Sequence, residues 1–186
     1  AQFSLGEAYK HSQGVPQSDE RAFELYKQSA TQGDSHAQNN IGVCYNVGLG
    51  CEQRYERAVE WFEKAAAQGD AGAQCSLGFA YKHGQGVPQS DERAFELYKQ
   101  SAAQGNSFAQ HNIGCCYRDG RGCEQSHERA AEWLEKAAAQ DHPQAQNSLG
   151  VAYKLGQGVP QSDERAFELF KQSAAQGNSD AQLNTG

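Results

Sequence analysis

The chain has 186 residues, a formal net charge of −7 and a mean hydropathy of −0.82. Its 16 basic side chains face 23 acidic ones and form no dense basic stripe, which argues against binding driven by nucleic-acid phosphates. No apolar run approaches the roughly 18 residues that span a bilayer, so direct membrane insertion is not expected either.

The elements repeat along the chain. Gly6, Gly42, Gly78, Gly114, Gly150 and Gly186 lie 36 residues apart. Ala1-Gln2, Ala37-Gln38, Ala73-Gln74, Ala109-Gln110, Ala145-Gln146 and Ala181-Gln182 keep the same register. The spacing predicts repeats over 1–36, 37–72, 73–108, 109–144 and 145–180, with 181–186 opening a sixth, in one continuous array over 1–186. In the first repeat, Ser18 is placed to cap a second helix whose first turn holds Asp19 and Glu20, suited to the positive helix end. In the second, Ala37, Ile41, Cys44, Tyr45 and Gly48 fall on one helical face. Gly48 and Gly50 then turn the chain, and Ala58, Val59, Trp61, Phe62, Ala65 and Ala66 mark the stripe of the next helix, which Gly69 ends. Arg54 occupies its cap position and is a poor cap.

The third and fifth repeats reproduce the first, with QSDERAFEL beginning at Gln17, Gln89 and Gln161 and with Ser90 and Ser162 as caps. The fourth reproduces the second, Trp133 matching Trp61, but Asp141-His142-Pro143 replaces the Gly-led turn and Pro143 can open the following helix. One helix pair cannot bury its own stripe, whereas stacked neighbours can. The expected fold class is therefore all-α, an α-solenoid. The chain contains no Met and no secretory signal opens it, as expected of a processed product or a piece of a longer array.

The run A-x-x-x-L-G-x-x-Y-x-x-G-x-G-V from Ala73 to Val87, followed by A-x-x-x-Y-x-x-S-A-x-Q-G from Ala94 to Gly105, resembles the Sel-one-like repeat, a relative of the tetratricopeptide repeat. The resemblance recurs five times and covers essentially the whole chain. It implies a right-handed superhelix of antiparallel helix pairs that acts as an adaptor, binding a protein or peptide on its concave face. It names neither a partner nor a compartment.

Four cysteines occupy two columns that change together. Cys44 and Cys51 stand where other repeats have Ala and Val, and Cys116 and Cys123 repeat the swap. Cys44–Cys51 and Cys116–Cys123 disulfides are expected on that basis, with buried thiols acting as small hydrophobes as the alternative. Disulfides would place the chain in an oxidising compartment, secreted, periplasmic or within the ER lumen; thiols would suit the cytoplasm. Cys75, His83, His111 and Cys115 lack metal-ligand spacing, so no metal is expected.

At 100° per residue, positions 3, 7 and 10 of each repeat point away from the stripe. They are Phe3, Glu7, Lys10; Asn39, Val43, Asn46; Cys75, Phe79, Lys82; His111, Cys115, Arg118; and Asn147, Val151, Lys154. Val43, Phe79, Cys115 and Val151 form an apolar ladder, with Lys82, Arg118 and Lys154 beside it, which suits a partner-binding face. The alternative is that position 7 only packs neighbouring first helices together. No Ser-His-Asp spacing, phosphate loop or HExxH motif is present, so neither catalysis nor a cofactor is expected. A scaffold for a protein partner is the leading function; a rigid spacer within a larger secreted or cell-surface protein is the alternative.

Overall fold

The structure, a computed structural model, describes residues 2–184. Ala1 and Gly186, both part of the 36-residue register, lie outside the described residues. All regular elements among the described residues are α-helices, and they alternate as first and second members of a pair. The first helices are α1 (Gln2–Lys10), α3 (Ser35–Val47), α5 (Ala71–His83), α7 (Ser107–Asp119) and α9 (Pro143–Leu155). The second helices are α2 (Asp19–Thr31), α4 (Tyr55–Ala67), α6 (Asp91–Ala103), α8 (His127–Ala138) and α10 (Asp163–Ala175); α11 (Ser179–Asn184) begins a further pair. From α3 onward the first helices start two residues before the Ala-Gln register mark, the residue preceding each one supplying its N-cap.

The chain forms two compact units, Ala1–Leu97 and Tyr98–Gly186, with α6 contributing to both. In the first unit α1 packs on α2, α2 on α3, α3 on α4 and α4 on α5. In the second, α7 packs on α8, α8 on α9, α9 on α10 and α10 on α11. Each unit is thus a short solenoid of helix pairs. The pairs are antiparallel: Gln2 at the start of α1 donates to Gln28 near the end of α2 at 2.9 Å, while Arg21 at the start of α2 donates to the Tyr9 hydroxyl at the end of α1 at 3.0 Å.

Burial follows the expected stripes. Ala37, Ile41 and Cys44 of α3 share one cluster with Ala22, Phe23, Tyr26 and Ala30 of α2, so the core lies between successive pairs as much as within them. In the second unit, Leu149 and Tyr153 of α9 join Leu134 of α8 and Phe170 of α10. The glycine at position 6 lets the two helices of a pair approach. A Cβ on Gly42 would stand 2.5 Å from the Phe62 ring, and one on Gly150 would stand 2.6 Å from Phe170.

Helix ends follow the residues present. Gly48 caps α3 in the left-handed region at φ 75°, its N–H donating to Cys44 O. Ser18, Ser90 and Ser162 accept from the N–H of Arg21, Arg93 and Arg165 as expected, and Ser126 does the same for Arg129. Arg54 makes no side-chain cap. Pro143 opens α9, and His142 caps it through Nδ1, which accepts from Ala145 N–H at 3.3 Å. Asp141 takes the left-handed backbone, φ 58°, that glycine holds before the other first helices.

The Ala-Gln pair that marks the register has a structural task. Gln38 is buried at 6% exposure; its Nε2 donates to Ala30 O at 3.2 Å, and its Oε1 accepts from Gln68 Nε2 at 2.7 Å. Gln110 repeats this with Ala102 O and Gln140, and Gln146 accepts from Gln176. The Gln38 and Gln110 amides thereby each satisfy a carbonyl at the C-terminal end of the preceding second helix, one of the groups that an α-helix leaves orphaned.

Candidate protein-binding face

The first helices turn their buried stripe toward the second helices, which leaves the opposite face to positions 3, 7 and 10. The structure treats these positions differently. Position 3 is engaged by its neighbours: Phe3 packs into the first cluster, its ring 5.9 Å from Tyr26. His111 Nε2 is 3.3 Å from Ser148 Oγ on the next first helix, and Asn147 Oδ1 accepts from Asn184 Nδ2 at 3.1 Å. Asn39 and Cys75 are half-buried, and the Asn39 side chain lies under Gly72.

Position 7 is mixed. Val43 and Cys115 are half-buried, and Cys115 Sγ lies 3.5 Å from His111 Nε2, one turn back on the same helix. Val151 packs at the edge of the second core cluster. Phe79 stands 43% exposed although Leu77, Ala80 and Tyr81 around it are buried, and its ring rests 4.2 Å from that of His83. Glu7 is the polar exception, accepting from the Tyr26 hydroxyl and from Asn40 Nδ2.

Position 10 is as open as position 7, with one exposed residue and the rest half-buried. Lys154 is exposed, while Asn46, Lys82 and Arg118 are half-buried. Asp119 holds Arg118 in a forked pair, Nε to Oδ1 at 2.7 Å and Nη2 to Oδ2 at 3.1 Å, and this hydrogen bonding raises the guanidinium pKa above its ordinary value. Arg118 also lines a small recess with His127, Ser148, Val151 and Gln157. Loop residues close over this end of α3, α7 and α9: Gln53 donates to Asn46 O at 2.7 Å, Gln125 to Arg118 O at 2.7 Å and Gln161 to Lys154 O at 3.1 Å.

The expected Cys44–Cys51 and Cys116–Cys123 bonds are not formed; all four residues are thiols. Cys44 lies in the core and Cys51 packs against the same cluster, so the paired columns reflect shared packing. Burial pushes the Cys44 thiol up to about 12 and raises Cys51 as well, which keeps both protonated. No group of three or more His, Cys, Asp or Glu among the described residues is arranged to hold a metal ion. No described helix is long and apolar enough to cross a membrane.

Two contacts had no signal in the periodicity. His36 Nδ1 meets Asp70 Oδ2 at 2.7 Å, and Phe108 lies edge-on to His142 with ring centres 4.7 Å apart. In both cases the second residue of a first helix rests on the N-cap of the next first helix. Only a comparison of columns 34 residues apart would have revealed it.

The Sel1 repeat family matches residues 1–34, 35–70, 71–106, 107–142 and 143–178. Among solved structures, a protective antigen of uropathogenic Escherichia coli displaying an SLR fold is 38% identical with a TM-score of 0.84, over 99% of this chain and 39% of that one. The chain thus spans about two fifths of that protein's length. A Sel1 repeat protein from Oxalobacter formigenes is 33% identical with a TM-score of 0.88, over 97% of this chain and 74% of its own. Cysteine-rich protein B of Helicobacter pylori is 18% identical with a TM-score of 0.55, over 70% of this chain and 93% of its own, a likeness of fold alone. No curated protein matches the chain in sequence.

Proposed function

The chain belongs to the Sel1 repeat family, whose members are generally protein-interaction scaffolds, and from that premise we propose that it holds an extended segment of a partner protein along the outward face of its first helices. The observation that carries this reading is Phe79, a large apolar side chain left 43% exposed beside Lys82 on a helix whose other face is closed by the core. An exposed apolar group beside charge, on a rigid helix, is what a peptide-binding groove requires. Within the same unit Val43 supplies a further apolar group and Asn46 a polar one; in the second unit Val151, Arg118 and Lys154 hold the corresponding positions of their repeats.

The spacer alternative has its support in position 3, where His111 and Asn147 bond to neighbouring first helices. Phe79→Asp separates the two readings, with Phe167→Asp as a control, since Phe167 is 49% exposed on a second helix. Both variants are expected to melt within a few degrees of the parent. Only Phe79→Asp is expected to lose binding of peptides selected from a random displayed library on the parent chain. A Phe79→Asp chain that unfolds, or that binds as the parent does, contradicts the reading.

A further inference from the structure

This inference rests on the scaffold reading and adds the chemistry of the partner: we infer that the bound segment is acidic, its carboxylates set against the cations of the first helices. The chain is acidic as a whole, but its charge is unevenly placed. Each second helix carries three carboxylates against two Lys or Arg. Of the 23 acidic side chains, only Glu7 and Asp119 lie on the five first helices, which carry Lys10, Lys82, Arg118 and Lys154. The outward second-helix surface repels an acidic segment, and the first-helix face does not.

Most second-helix cations are already engaged, although Lys171 of α10, among the described residues, takes part in no ion pair or cation–π contact. On the second helices, Arg21, Arg93, Arg129 and Arg165 lie over the tyrosine rings of their own pair, with centroid distances from 5.3 to 5.6 Å. Lys64 and Lys136 lie over Trp61 and Trp133, and Arg57 pairs with Glu60. Among the described residues, Lys10, Lys82 and Lys154 take part in no such ion pair or cation–π contact. Their charge is available to a ligand.

In the second unit this availability meets a shaped recess. Arg118 and Val151 line a hollow of about 20 Å³, room for a single small polar group rather than a whole side chain. Asp119 occupies Nε and Nη2 of Arg118, leaving Nη1. In the same wall, Nδ1 of His127 is buried without a hydrogen-bond partner. A carboxylate oxygen seated there would lie against the Arg118 and His127 side chains that line the recess, while exposed Lys154 and Leu155 stand at the end of α9, the helix that supplies Val151.

The test selects a random phage-displayed peptide library on the immobilised full chain, then titrates a fluorescein-labelled winner and follows its anisotropy. The enriched pool is expected to carry more Asp and Glu than the starting library. Arg118→Glu and Lys154→Glu are each expected to raise Kd about tenfold or more, and Lys171→Glu on α10 less than about twofold. Lys154→Gln removes the charge at an exposed site without reversing it and is expected to fall between. Enriched peptides that are neutral or basic, or equal effects of reversal on first and second helices, overturn the acidic class and leave the scaffold reading standing. A library that yields no binding peptide overturns that reading, and this inference with it.

Discussion

His142 stands where the other first helices are capped by Asp34, Asp70, Asn106 and Asn178. The ring is 5% exposed, stacks on His111 with centroids 5.2 Å apart, and leaves Nε2 buried without a partner. Burial lowers its pKa, and capping requires Nδ1 to be an acceptor, so the folded chain holds the neutral form. The unfolded chain therefore binds this proton more readily. Stability from His142 is complete above the ordinary histidine value of about 6.5 and is lost as pH falls through the lowered folded value. Melting temperature is expected to drop between about pH 7 and pH 5, and to drop less in His142→Asn, which keeps a cap of the kind Asn106 provides. Parallel pH profiles for the two chains would contradict this. The break at Asp141-His142-Pro143 was legible in the sequence and Pro143 was assigned correctly. The cap was not, because His is outside the usual capping set. The cysteine columns were legible as contact, yet spacing alone cannot separate a bond from two thiols that share a core.

The second helices show what a cap contributes. Four of them begin with a serine that accepts from the third residue's N–H, whereas α4 begins with Arg54, which instead pairs with Glu52. Arg54→Ser is expected to stabilise the chain by about 1 kcal/mol, read as a raised denaturant midpoint at unchanged slope. Removing the buried amide should act in the other direction. Gln110→Leu strands the carbonyl of Ala102 and removes one acceptor of Gln140 Nε2, which keeps its bond to Gly105 O, at a cost of about 1–3 kcal/mol. An unchanged midpoint would mean that the amide chain does not join successive pairs. Helices, turns and caps could be read from periodicity and glycine placement, since both are local. The glutamine chain could not, because it links residues 30 apart through a polar side chain that looks like a surface residue in any hydropathy pattern.

Across the molecule, the 36-residue period was legible because burial is shared between neighbouring pairs, and every repeat must present the same stripe to the next. The outward face was less so. Counting 100° per residue grouped positions 3, 7 and 10 together, but position 3 bonds sideways to adjacent first helices and position 7 divides between core edge and solvent. That division depends on how closely the first helices approach, which the period does not encode. At the level of the chain, second helices, caps and buried amides hold the fold, and the proposed function assigns the open first-helix residues to a partner. Backbone amide shifts of the isotope-labelled chain, followed while an enriched acidic peptide is titrated in, test this most directly. The shifts are expected to concentrate on first helices, around Phe79 and Lys82 in the first unit or around Val151 and Lys154 in the second. Shifts confined to α2, α4, α8 or α10 would contradict it.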